Sequence, residues 1–534
     1  MPVSPLSVQS RLPHEVVVAE LLCDRHPAAD TAFTVIDEQL DHADLSFAQL
    51  REDSERAAAL LASFGVQPGD RVATLMGKSS ELISMLLGIW RLGAVHVPLF
   101  TAFATPAIRV RLEGAGARVV VADSAQLPKL ATDELSRELN LSVLEADGPE
   151  GPLALMLAEQ PTGFEAAVRR LDDPIVEIFT SGTTGTPKGV PVPVRALEAF
   201  DAYFHYGLDV REDDVFWNVA DPGWAYGLYY GILAPLYAGR RNLLLSTSFS
   251  AELCWQVLVK FGVTNFAAAP TIVRSMRAER PEGLPGLKLL RASSAGEPLD
   301  ATTIDWSAKV LGTPVRDHYG QTEMGMCIIN GWAPDVIAEL RPGSMGGPMP
   351  GYAAAVLKLD SDEIADPGER GRVALDVPAS SMMWFPGYTG DPVRTAERFS
   401  SDGRWYYTGD AGMVDEQGYF FFSSRDDDVI IMSGYRIGPF EIESVLAEHA
   451  SVRESAVIGV PDELRGEVLI AYVVPTAGIT GDAALVAELQ QLVKTRYATH
   501  AYPRRIEFVR DLPKTPSGKL QRYLLRQAEA SRQQ

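Results

Sequence analysis

Short apolar runs alternate with stretches of helical spacing through the first 125 residues, and this alternation narrows the possible folds more than any other feature. In LSFAQL, Ser46 and Gln49 stand at capping-box spacing. Leu50, Ala57, Leu61 and Phe64 then mark one helix face, and Gly65 offers a stop. RVATLM reads as a strand, ELISMLLGIWRLGA as a buried helix, and VHVPLF and ARVVVAD as further strands. The order predicts an α/β domain with a mainly parallel sheet. It returns across 200–320 in NLLLS, CWQVLVKF, NFAAAP and KLLRAS, so two doubly wound units are expected in one large domain. From about 344 to 424 short strands and turns (GRVALDV, GRWYYTGD, GYFFFSS) predict a small β-rich subdomain. Residues 428–534 read as an α+β lid, which sets the expected domains at 1–427 and 428–534.

Several classes are disfavoured by composition. A chain of 534 residues exceeds one ordinary core, and 46% apolar content suits a folded protein rather than a disordered one. No uncharged apolar run reaches the ~18 residues of a membrane span. The first residues lack a basic start followed by an apolar core, so no secretory leader is expected. Cys23, Cys254 and Cys327 are too scattered for a disulfide framework or a zinc site, which fits a cytoplasmic protein. A formal charge of -22 repels polyanions and argues against nucleic-acid binding.

The stretch FTSGTTGTPKGVPV follows the apolar PIVEIF. Its glycines let backbone approach a ligand, and its N–H groups and hydroxyls offer donors to anionic oxygens. Lys188 adds the one charge. The composition suits phosphate. The spacing is not that of a Walker loop, because Pro187 and Lys188 are not followed by the Gly-Lys-Ser/Thr ending. A solvated turn is the plain alternative for this stretch taken alone.

Four further motifs follow in order: YGQTEMG at 319–325, YYTGD at 406–410, SRDDDVIIMSGYRIGPFEIES at 424–444 and PKTPSGKLQR at 513–522. With SGTTGTPKG at 181–189, they resemble the adenylate-forming superfamily, closest to short- and medium-chain acyl-CoA synthetases. The resemblance covers nearly the whole chain. It implies two steps: a carboxylic acid and ATP give acyl-AMP and pyrophosphate, and the thiol of CoA then takes the acyl group. It also implies Mg2+, placed by Thr184 and Glu323. Ser181, Gly182, Thr183, Thr184, Gly185, Thr186 and Lys188 would grip phosphate. Gly296, Glu297 and Pro298 would flank the adenine, Tyr319 would stack on it, and Gln321 and Thr322 would line the nucleotide, Thr322 beside the α-phosphate. Asp410 and Arg425 would hold the ribose and Arg436 a phosphate. Lys519 would bridge the carboxylate and the α-phosphate. Asp427 matches the hinge of a mobile C-terminal domain, and Ser433 and Gly434 the path of the thiol.

The same resemblance assigns Trp224, Ala225, Tyr226, Gly227, Ala295 and Gly320 to an acyl pocket. Relatives that select amino acids carry an Asp near Ala225, and burying an ammonium without a partner is costly, so an amino acid is not expected. Acetate-specific relatives close the pocket with a Trp before QTE. Gly320 stands there, which predicts a larger acid: short- or medium-chain, branched or aryl. Tyr229 and Tyr230 read as core, and His318 as structural. Arg504 and Arg505 are candidates for the CoA nucleotide, against an ordinary surface basic pair. Two other functions compete: an adenylation enzyme loading a carrier protein in trans, and a nucleotide-binding regulator. The presence of Glu323, Asp410 and Lys519 speaks against the regulator.

Overall fold

The computed structural model describes the chain except residues 1–10, 131–138, 149, 181–186, 280–285, 426–427, 429, 433–434, 463–465, 498–500, 516–519 and 534. The capping box forms: Ser46 accepts from the Gln49 amide, and the Gln49 side chain accepts from the Ser46 amide. The helix Phe47–Ser63 ends where Gly65 takes φ +81°. It packs against Ser80–Arg91, whose Gly88 allows close approach, since a Cβ there would lie 2.4 Å from that of Ala57. Ser80–Arg91 packs on a six-stranded sheet running Lys188–Pro193, Pro174–Thr180, Val95–Pro98, Arg71–Leu75, Val119–Asp123, Ser142–Ala146. All neighbours in it are parallel except the first pair, Lys188–Pro193 against Pro174–Thr180.

A second sheet is thirteen-stranded. Its wound half is parallel: Phe216–Asn218, Asn242–Leu245, Asn265–Ala268, Arg291–Ala295 and Val315–Gln321. Gly325–Ile329 then turns back antiparallel, and Ser344–Pro348 carries the sheet into the β-rich part that ends at Phe420–Arg425. The expected two wound units and β-rich segment are therefore present. One element lies elsewhere than its sequence position suggests. The hairpin Thr31–Ile36 with His42–Ser46 joins the edge of the second sheet through Asn242–Leu245, rather than the first unit that follows it in the chain. Local periodicity identifies a strand but carries no information about its distant partner.

The C-terminal region is a five-stranded sheet built around the long pair Val452–Asp462 and Gly466–Pro475. Pro439–Ala447, Ala483–Arg496 and Arg522–Gln533 are its helices. Arg522 pairs with both Glu443 oxygens and with Asp428, and Arg526 also reaches Asp428 at 2.7 Å. Polar contacts link this region to the large domain. Arg370 reaches Glu441 at 2.6 Å and the Tyr497 hydroxyl at 3.2 Å, and Ser423 donates to Glu441.

Candidate active site

Ligands of wound α/β sheets bind at the carboxyl ends of the strands. Three such ends carry the motifs: Pro174–Thr180, Arg291–Ala295 and Val315–Gln321. The first leads into the glycine- and hydroxyl-rich loop. The chain then returns antiparallel, with Lys188 opposite Thr180. The described strands before and after this stretch are thus antiparallel neighbours, whereas a Walker loop opens a helix. Ser181, Gly182, Thr183, Thr184, Gly185 and Thr186 lie outside the described residues.

The turn between Val315–Gln321 and Gly325–Ile329 presents Gln321, Thr322 and Glu323. Thr322 is held through its carbonyl, which accepts from the Tyr229 hydroxyl at 3.1 Å. The carboxylate of Asp410, on the strand Trp405–Val414, is buried at 5% exposure. Its Oδ2 accepts from the Tyr319 hydroxyl at 2.5 Å and from Gln321 Nε2 at 2.7 Å. Gln321 Nε2 also lies 2.8 Å from the Thr408 carbonyl, and its Oε1 accepts from the Tyr406 hydroxyl. Burial, and then the neighbouring Asp410 charge, raise the Tyr319 pKa, so the phenol keeps its proton and donates. Asp410 is the backbone partner of Arg425, which brings the two expected ribose residues to adjacent strands.

The second cluster is centred on Glu323, which is 7% exposed. Its Oε1 accepts from the Tyr388 hydroxyl at 2.8 Å. Arg398 Nε donates to the same hydroxyl at 3.1 Å. Lys188 Nζ stands 4.8 Å from the centroid of the Tyr388 ring. Burial first, and then Arg398 and Arg394, lower the Lys188 pKa against the opposing pull of Glu323 and Asp391. The two clusters meet at the Thr408 carbonyl, which accepts from Arg398 Nη1 at 3.2 Å as well as from Gln321. Tyr388 and Arg398 escaped the sequence reading. GYTGDP and ERF resemble ordinary turn and surface text, and only their place in the fold brings them to Glu323.

Gly296 turns at φ +98°. The Glu297 carboxylate points back into the protein, accepting from Thr271 at 2.9 Å and Arg274 at 2.6 Å. The Glu297 charge is thus engaged within the protein. Burial works against the Arg274 charge. Glu297, Asp300 and Glu454 more than offset it and raise its pKa. Glu454 belongs to the C-terminal region, where Lys514 pairs with it at 2.6 Å. Lys514 and Leu520 bridge each other antiparallel, and Glu454, the partner of Lys514, acts electrostatically on Arg274. Lys519 itself lies outside the described residues, as do Asp427, Ser433 and Gly434. Arg425 and Arg436 are placed by backbone register only.

Around the expected acyl pocket, Trp224 packs on Phe100 and Phe103, with ring centroids 5.3 and 5.4 Å away, and its indole N–H is buried without a partner among the described residues. The Tyr226 hydroxyl meets that of Tyr203 at 3.2 Å. Gly227 is required by backbone, since a Cβ would lie 2.2 Å from the Asp221 carbonyl oxygen. Gly320 is constrained by backbone as well. Its Cβ would point to the Gly325 carbonyl oxygen at 2.1 Å, so the hairpin itself demands glycine. Tyr229 and Tyr230 are core, as expected: Tyr229 stacks on Phe200 at 4.3 Å, and the Tyr230 hydroxyl accepts from Met326 N. Arg505 is engaged by Glu507 and Glu529, and Arg504 covers the Tyr502 ring, so both have structural partners in the C-terminal region.

His318 and His96 are buried at 2% and 1% exposure, and burial pushes each pKa down to about 3. In the unfolded chain both titrate near 6.5. A depressed folded value means that stability is complete above 6.5 and declines as pH falls toward 3. At pH 5 each histidine costs about 2 kcal/mol by linkage. The expected result is a falling melting temperature from pH 7 to 4.5, with a shallower fall in His318→Asn. An unchanged slope in that variant would show that His318 does not contribute.

The family model described as "AMP-binding enzyme" matches residues 21–388, and "AMP-binding enzyme C-terminal domain" matches 441–519. The chain belongs to the AMP-binding enzyme family. Among its relatives is an acetyl-coenzyme A synthetase of Bacillus subtilis (strain 168), 36% identical over 90% of this chain and 84% of that protein. The crystal structure of a Brucella canis acyl-CoA synthetase is 40% identical, with a TM-score of 0.73 over 97% of this chain and 95% of that one. The anthranilate CoA ligase AuaEII in complex with anthranoyl-AMP is 28% identical, with a TM-score of 0.87 over 97% and 98%. This AMP-binding enzyme is an acid–thiol ligase of the acyl-CoA synthetase type, using ATP, Mg2+ and CoA. Among the described residues no helix is long and apolar enough to cross a membrane.

Proposed function

We propose that this acyl-CoA synthetase activates a carboxylic acid larger than acetate, of short- or medium-chain, branched or aryl type. The observation that carries the catalytic reading is the continuous polar chain from Tyr319 and Asp410 through Gln321 and Thr408 to Arg398, Tyr388 and Glu323. It runs from a ribose-holding carboxylate to a phosphate end and ties both to one rigid sheet. Asp410 accepts from the two ribose hydroxyls, with Arg425 beside it. Tyr319 lies against the base, and Gly296–Pro298 flanks its other side. Lys188 and the 181–186 loop grip the departing pyrophosphate, Thr322 faces the α-phosphate, and Arg436 adds a phosphate contact. Glu323 supplies a hard oxygen: Tyr388 takes Oε1, which, among the described residues, leaves Oε2 for an ion. Among the described residues no group of three or more His, Cys, Asp or Glu side chains could hold a metal. A site with one or two protein oxygens, Glu323 with Thr184, and the rest from phosphate and water fits Mg2+. When bound, Mg2+ neutralises phosphate charge. Lys519 draws the acid's carboxylate to the α-phosphate, and a rotation at Asp427 then replaces it with the loop carrying Ser433 and Gly434, which admits the thiol.

Support for the larger acid comes from small residues, Ala225 and Ala295, and from a hairpin whose backbone accepts no side chain at Gly320. Each buried methylene is worth about 0.8 kcal/mol, roughly fourfold in kcat/KM. The test is AMP release with ATP, Mg2+ and CoA across acetate to decanoate and benzoate. At least one larger acid should exceed acetate tenfold or more. Acetate as the best substrate would end this assignment of the pocket.

A further inference from the structure

Arginine can only donate. Arg398 Nε therefore takes a lone pair of the Tyr388 hydroxyl, and the tyrosine proton is directed to Glu323 Oε1. The ring of the same tyrosine lies under Lys188, the first residue of the strand that leaves the glycine-rich loop. Its backbone is fixed independently of these contacts. Tyr388 N donates to Thr395 Oγ1 at 2.9 Å, and Thr389 N donates to the Gly189 carbonyl at 2.9 Å, which staples the segment to the strand beginning at Lys188. Gly387 turns at φ +121° against Thr395, where a Cβ would come within 2.6 Å of Cγ2. Tyr388 is 5% exposed.

We propose that Tyr388 is a positioning residue for acid activation: its hydroxyl sets the free oxygen of Glu323 toward the metal while its ring seats Lys188. One side chain thus couples the cation of the phosphate-gripping loop to the carboxylate of the metal site. The inference rests on the reading of Glu323 as a metal-holding residue. Preorganisation of this kind counts because a hydrogen-bonded carboxylate cannot rotate away from the ion it serves. The hydroxyl acts through Glu323, and the ring acts through Lys188, so the two contributions separate by substitution.

The measurement is ATP binding by titration calorimetry at a series of Mg2+ concentrations, with melting temperature recorded in parallel. Tyr388→Phe keeps the ring under Lys188 and removes the hydroxyl. It should raise the Mg2+ concentration for half-maximal nucleotide binding about tenfold, as expected for one lost hydrogen bond to a charged group. Tyr388→Leu should show that shift and, in addition, weaker pyrophosphate binding. Glu323→Gln should shift the Mg2+ dependence at least as far as Tyr388→Phe, and the double variant should match Glu323→Gln alone. Additive effects in the double variant, or a Tyr388→Phe protein with unchanged Mg2+ dependence beside a shifted Glu323→Gln, would overturn the role of Tyr388. An unshifted Glu323→Gln would overturn the metal reading of Glu323 and this inference with it. If Tyr388→Phe does not fold, Arg398→Lys, which keeps the charge and removes the Nε donor, should show the same direction of shift, and no shift there overturns the proposal.

Discussion

Lys519→Ala should cut acyl-adenylate synthesis by roughly 10^2–10^3-fold while leaving the transfer of a preformed acyl-AMP to CoA near its normal rate. The acid's carboxylate and the α-phosphate repel each other, and an ammonium between them is worth about 4 kcal/mol gross at ~4 Å and an effective dielectric near 20. Expressed mainly in the transition state, that energy gives the stated factor. Lys514, at the start of this stretch, pairs with Glu454, which acts electrostatically on Arg274 of the large domain. ATP–pyrophosphate exchange measures the first step, and thioester formation from synthetic acyl-AMP measures the second. Exchange at full speed in the variant would remove Lys519 from the mechanism. Equal losses in both steps would point instead to damage of the domain.

Asp410→Ala should weaken ATP and AMP binding by about 10^2-fold, close to 3 kcal/mol. Two charge-assisted hydrogen bonds to ribose hydroxyls account for most of that figure. The remainder comes from Tyr319 and Gln321, whose donors lose their acceptor in a buried site. Affinity alone would not separate a ribose contact from general disruption. The distinguishing measurement is discrimination against 3′-deoxy-ATP, which the unaltered enzyme should reject and the variant should largely accept. Asp410→Asn should fall between them, because one acceptor oxygen remains. If the alanine variant still rejects the deoxynucleotide as strongly as the parent, the ribose assignment is wrong.

Sequence alone determined the elements with strong local signals. The capping box at Ser46, the stop at Gly65 and the apolar strands ending at Thr180 and Ala295 are short-range features, because propensity, capping and periodicity act over a turn or two. The ordered motifs, through their resemblance to the family, likewise led to the expectation that Glu323, Asp410 and Lys188 share one site. Tertiary structure decided the rest. Residues 31–46 pair with a strand some two hundred residues away, a choice made by competing sheet edges rather than by the hairpin itself. Tyr388 and Arg398 meet Glu323 only because the fold brings the hairpin 321–325 beside the 385–398 segment. Gly320 is glycine because a carbonyl of the opposing strand occupies the Cβ position, a constraint visible only once both strands are placed. The physical division is one of range: chemistry and local conformation are written residue by residue, whereas contacts between distant segments depend on which surfaces remain unburied when the chain collapses.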